Sequence, residues 1–185
     1  MIMGCYNGCN KRNGTQTETR AVVLKFRRKN LDYSIENSAY IESHVMKDES
    51  ECIKHMVSDI CQSGNRDHVT RLLAVIHAGV IEKLYPFTKR EVIEEVIDDN
   101  LWEPPEYVIT IHVPVTFSQT SCHLLSRLIH EYMVYQVLYD WLKMTDREKT
   151  VDAQHWLEKA EAVAKKIDEV KNYRKGTLER PMHPF

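Results

Sequence analysis

The chain lacks a cysteine framework. Its five cysteines are an odd number at irregular spacings, which excludes a small disulfide-stapled scaffold and is expected of free thiols in a reducing compartment. MIMGCYNGC at the start is too short and polar for a secretory hydrophobic region. No apolar run approaches the ~20 residues of a membrane span. Net charge is only −2 over 185 residues, so no global field points to nucleic acid or to a membrane surface. Internal repeats, low-complexity tracts, a glycine-rich phosphate loop and a GxSxG elbow are all missing.

Charge is unevenly spread along the chain. Lys11–Lys29 carries seven basic residues and one acidic residue, whereas Glu91–Glu106 carries seven acidic residues and no basic one. Such patches suit contact between unlike surfaces of neighbouring copies, as well as two solvated faces.

The stretch Ser118–Met144 has neither proline nor glycine. Leu125, Leu128, Tyr132, Tyr135, Tyr139 and Leu142 recur in steps of three and four, and Leu124, Ile129, Val134, Val137, Leu138 and Trp141 widen the stripe. This predicts a long helix buried on several sides, with Ser118 or Thr120 as its N-cap. A second helix follows Thr145 and Glu148, with Ala153, Trp156, Ala160, Val163, Ile167 and Val170 on one face. The short connection predicts an antiparallel helical hairpin, with Leu128, Tyr132, Tyr135 and Tyr139 facing Trp156, Ala160, Val163 and Ile167.

Upstream, Asp48 with Glu51 offers a capping box for a short helix stopped near Gly64. Asn65 or Asp67 could cap the next helix, whose inner face is Val69, Leu72, Leu73, Ile76, Val80 and Leu84 and whose end is Pro86. Gly79 inside it suggests close packing against another element. Arg20–Lys29 reads as a strand, and Tyr33–Met46 as a second strand completing a hairpin with it. Tyr107–Val113 alternates as a strand. The preceding segment 89–99 fits either a strand, paired through the loop DDNLWEPPE, or a helix. The expected fold is α+β: a long antiparallel helical hairpin plus two shorter helices, packed with antiparallel β-hairpins. Residues 1–19 are expected to form an arm, 20–172 a single domain and 173–185 an extended tail.

Candidate chemistry is thin. His130 and Glu131 in LIHEY lack the second histidine that a zincin helix needs, because Val134 stands there. Cys5 and Cys9 have no second ligand pair at matching spacing. The acidic stretch lacks the alternating ligands and central glycine of a calcium loop. No catalytic, metal or cofactor residue is therefore assigned. The basic strand Arg20–Lys29, with Phe26 among its charges, suits single-stranded nucleic acid, and equally an edge strand guarded by Lys and Arg.

Several phrases together resemble small proteins encoded by phages and prophages of Bacteroidales hosts. They are DYSIENSAYIESHVM (Asp32–Met46), GNRDHVTRLL (Gly64–Leu73), EKLYPFTK (Glu82–Lys89), YVITIHVPVTFSQT (Tyr107–Thr120), LIHEYMVYQVLYDWLKMT (Leu128–Thr145) and the ending RPMHPF. That family resembles head-to-tail connector, or neck ring, proteins of tailed phages, including crAss-like phages. The resemblance implies a virion subunit forming a homo-oligomeric ring beneath the portal, with DNA only as cargo and no membrane partner. It implies a helical core, a β-containing part and arms embracing neighbours. It carries no catalytic residue over to this chain. Interface residues expected on this reading are Arg27, Arg28, Glu94, Glu95, Trp102, Arg174, Lys175, Arg180 and Phe185. The segment Arg174–Phe185 is expected to dock on an adjacent chain, its basic residues meeting the acidic stretch and Phe185 filling a pocket. The alternatives are a nucleic-acid-binding accessory protein using residues 20–29 and, last, a metal-dependent enzyme.

Overall fold

A computed structural model describes residues 18–46, 51–89, 102–145 and 150–172. These residues form five helices and a two-stranded antiparallel sheet, an α+β arrangement that is mostly helical. The order is β1 (Thr19–Arg27), α1 (Arg28–Val45), α2 (Glu51–Ser58), α3 (Arg66–Lys83), β2 (Glu106–Pro114), α4 (Gln119–Thr145) and α5 (Thr150–Asn172), with two 3-10 turns between α2 and α3.

The expected hairpin at the start is wrong. Tyr33–Met46 is not a strand: β1 runs without a turn into α1, which occupies Arg28–Val45. The aromatic and β-branched residues of this segment favour a strand locally. Leu31, Ile35, Ala39 and Ser43 nevertheless recur every four residues and are all buried, so tertiary packing on a 3.6-residue period overrides local preference. β1 pairs instead with β2, far along the chain, in a register from Thr19 opposite Pro114 to Arg27 opposite Glu106. Thr19, expected in the N-terminal arm, is thus the first residue of the sheet. Both strands alternate: Leu24 and Phe26, with Tyr107, Ile109, Ile111 and Val113, enter the core, while Val23, Lys25, Val108 and His112 face outward.

One core joins that sheet face to Leu31 and Ile35 of α1, Leu73 and Val80 of α3, and Ile129, Met133, Val137 and Leu138 of α4. α4 carries ten buried residues, spread around much of its circumference. Ser118 stands at its N-terminus and accepts the first helical amide bonds from Ser121 and Cys122. α5 packs along α4. The rings of Tyr135 and Trp156 lie 5.5 Å apart, and Lys159 stands over Trp156 at 4.1 Å. Ala160 and Ile167 are fully buried, while Leu128, Tyr132, Tyr139 and Val163 pack against the core half-buried. At the far end of α5, Lys171 donates to the carbonyls of Lys83 and Tyr85 and so caps α3. Lys83 in turn pairs with Asp168 at 2.8 Å.

Two local expectations need correction. Asn65 sits at the α3 cap position without a side-chain cap bond, and its amide donates instead to the Asp59 carbonyl at 2.9 Å. Gly79 is exposed, and an added Cβ would meet nothing within 4 Å, so its presence has no packing reason. The segments carrying Asp48, residues 90–99 and Glu148 lie outside the described residues.

Among the described residues the one buried cation is Arg28, 5% exposed. Its Nε donates to Asp32 Oδ1 at 2.7 Å, and Nη1 to Thr70 Oγ1 at 3.0 Å and to Tyr107 Oη at 3.4 Å. Its backbone N–H donates to the Pro105 carbonyl at 2.9 Å. One residue thereby ties α1, α3 and the start of β2 together. Burial works against its charge, but the Asp32 bond and charge outweigh this and raise its pKa.

Two stability changes are expected from this description. Arg28→Met should cost about 2–4 kcal/mol in chemical denaturation, because Thr70 and Tyr107 lose a charged partner; a change within about 0.5 kcal/mol would show the ties to be idle. Gly79→Ala should raise stability by roughly 0.5–1 kcal/mol, since helix propensity improves with no clash. A loss in the same assay would mean that the position is not the open helix surface described.

Candidate functional site: a basic groove beside an open strand edge

The register of the sheet fixes which backbone groups of β1 are free. Arg28 donates to Pro105 and Val115 donates to Glu18, so the hydrogen-bonded positions of β1 are the even-numbered ones, Arg20, Val22, Leu24 and Phe26. Ala21, Val23 and Lys25 therefore direct N–H and C=O away from β2. Among the described residues no backbone group meets them. The outer edge of β2 differs: His77 Nε2 donates to the Val108 carbonyl at 3.2 Å, and the His112 amide donates to the Phe87 carbonyl at 2.7 Å. Among the described residues the sheet thus has one covered edge and one open edge.

The open edge looks across to α4. A cavity of about 500 Å³ is lined by six consecutive β1 residues, Arg20–Lys25, and by Gln119, Cys122, His123 and Ser126 of α4. It is the strand's edge that lines it, because residues of both faces contribute. At Lys25, His123 and Ser126 it adjoins a wider groove of about 800 Å³. There Lys25, Arg27, Lys29 and Arg127 bring four cations, and Glu131 brings one carboxylate. Lys25 and Arg27 share Glu106, at 3.5 and 3.8 Å, in exposed pairs that contribute little. Lys29 and Arg127 have no ion-pair partner among the described residues.

His130 lines the same groove, and its Nε2 lies 3.0 Å from Ser34 Oγ. Ser34 donates its own proton to the Asn30 carbonyl, also at 3.0 Å. The imidazole N–H therefore donates to the hydroxyl and does not act on it as a base, so the pair lacks the activation that a serine nucleophile needs. Burial lowers the pKa of His130, outweighing Glu131, which acts to raise it. Burial likewise lowers that of His77, more than its bond to Val108 restores.

The expected interface residues fare unequally. Arg27 is exposed and lines the groove. Arg28 is 5% exposed and acts as an internal tie, its Nε and Nη1 bonded to Asp32, Thr70 and Tyr107. Trp102 is 69% exposed, with Glu103 beside it bonded to Arg66 at 2.8 Å. Glu94, Glu95, Arg174, Lys175, Arg180 and Phe185, with Cys5 and Cys9, lie outside the described residues. Cys52 is exposed, Cys122 is buried, and the half-buried Cys61 thiol is pushed up to about 12, chiefly by burial. No three His, Cys, Asp or Glu among the described residues gather as a metal site, and no described helix is long and apolar enough to cross a membrane. His123 and Arg127 were not singled out from the sequence, and His130 was weighed there only as a zincin ligand. Their spacing of four and three places them on one face of α4, which is the signal that would have found them.

Comparison of the chain with protein families, curated proteins and solved structures finds no match.

The two lowered histidines carry a pH dependence. In the unfolded chain each titrates near 6.5, whereas in the folded protein each takes up its proton only at lower pH. Their contribution to stability is therefore present above about pH 6.5 and is lost as acidity increases below it. Denaturation midpoints at about pH 7.5 and pH 5.5 should differ less for His130→Gln than for the parent chain. An unchanged difference would exclude His130 as a contributor.

Proposed function

We propose that the chain is a structural virion subunit: a ring-forming head-to-tail connector between the portal and tail of a tailed phage. On this reading it is not an enzyme, it works in the neck of the virion, and DNA passes through the ring without being a ligand. α4 and α5 form the long antiparallel helical hairpin that serves as its rigid body, and Arg174–Phe185 reaches an adjacent chain. The sequence phrases resembling neck proteins motivate the proposal.

The structural observation that supports it is on α1. Tyr33, Tyr40, Ile41 and Val45 are all more than half exposed, and they follow one another along one side of the helix. Tyr33 alone is 72% exposed. Exposed apolar side chains on one side of a helix, here interrupted by Glu36 and Asn37 between Tyr33 and Tyr40, support a contact surface. The basic groove borders it at Tyr33, so apolar and charged recognition adjoin. A heterologous ring contact needs patches of this kind, matched to a different patch on the next copy.

The groove also favours a second reading. Four cations beside two histidines suit a phosphate backbone, as in a nucleic-acid-binding accessory protein. Binding of DNA that weakens steeply with salt would favour it.

Native mass and class averages of the purified chain, with and without portal protein, test the connector reading. Closed rings of about twelve copies are expected. Ile41→Asp should prevent ring closure while leaving the helical spectrum unchanged. Monomers at every concentration, with no portal association, would contradict it.

A further inference from the structure

We propose that the open edge of β1 accepts an extended acidic segment of a partner protein as a third strand of the sheet. This does not rest on the connector reading.

The backbone supplies the first argument. Ala21, Val23 and Lys25 present alternate N–H and C=O groups to the cavity between β1 and α4, while the β2 edge is already engaged by His77 and Phe87. A strand added about 4.8 Å from β1 would satisfy those groups. The α4 wall opposite carries two small side chains, Cys122 and Ser126, alongside Gln119 and His123, and there it leaves room for a backbone. β1 has no proline and no glycine, so neither residue interrupts the edge.

Charge selects the occupant. Pairing of β1 with β1 of a second copy would set two basic strands side by side, which their Lys and Arg residues disfavour. The same side chains, with Lys29 and Arg127 at the wider end of the groove, attract carboxylates. Val23, 52% exposed, and Val108 beside it on the outer sheet face offer an apolar neighbour to alternate residues of the incoming strand. The chemistry required is an extended segment that carries acidic residues with β-branched ones among them. A nucleic acid would use the cations but not the backbone edge, and so is the less complete fit.

The test uses the full chain and three labelled probes: a peptide alternating glutamate with valine, one alternating lysine with valine, and a single-stranded oligonucleotide. The proposal expects the acidic peptide alone to bind, shifting the amide resonances of Ala21, Val23 and Lys25. Val23→Pro removes an outward N–H without touching the β1–β2 ladder, and should weaken binding about tenfold or more. Arg127→Glu, a surface change that leaves the sheet intact, should weaken it several-fold. Failure of the acidic peptide to bind overturns the proposal. So does equal binding of both peptides, or oligonucleotide binding that Arg127→Glu abolishes and Val23→Pro leaves unchanged.

Discussion

The buried guanidinium of Arg28 is the constraint on which the rest of the arrangement depends. A charge in a core is tolerated only where it is paired and hydrogen-bonded, and here Asp32 takes the Nε donor while Thr70 and Tyr107 take those of Nη1. Those partners lie on α1, α3 and β2, so satisfying one side chain sets three elements relative to one another. The residue also stands where β1 ends and α1 begins, with no loop to absorb an error in either. Its backbone bond to Pro105 then fixes the phase of the β1–β2 ladder. Once that phase is set, the even positions of β1 face β2, and the odd ones are left facing α4.

Function follows from this asymmetry. A two-stranded sheet has two edges, and the fold covers one with α3 and the turn that follows it. The other is left beside α4, whose His123, Arg127 and His130 line the groove with Lys25, Arg27 and Lys29. Basic side chains beside an open edge deter self-pairing. They also make that edge selective for a partner of opposite sign. The exposed stripe of α1 borders the same groove, so recognition by apolar contact, by charge and by backbone hydrogen bonding is concentrated in one region of the molecule.

Much of the helical part was legible in the sequence. The periodic apolar residues of α3, α4 and α5 report burial directly, because a helix face and its core share one period. α1 was not legible, for a physical reason. Its buried row begins at a charged residue, Arg28, and ends at a polar one, Ser43, so the hydrophobic signal holds only Leu31, Ile35 and Ala39. Apart from Ile35, the β-branched and aromatic residues that suggested a strand are those the helix leaves exposed. The pairing of β1 with β2 crosses about eighty residues, beyond any local pattern. Arg28 was expected at an interface because a charge is ordinarily solvated. Nothing in its neighbours Arg27 and Lys29, both exposed, marks it as different. The groove lay half in view: its β1 side is a run of basic residues, while its α4 side shows only as a spacing of four and three.

Native-state hydrogen exchange along β1 in the isolated protein tests the central claim of an open edge most directly. The account predicts alternation: slow exchange for the amides of Val22, Leu24 and Phe26, which donate to β2, and fast exchange for Ala21, Val23 and Lys25, which face the groove. Uniform protection of both sets would mean that the edge is already covered by the chain itself, and would contradict the account.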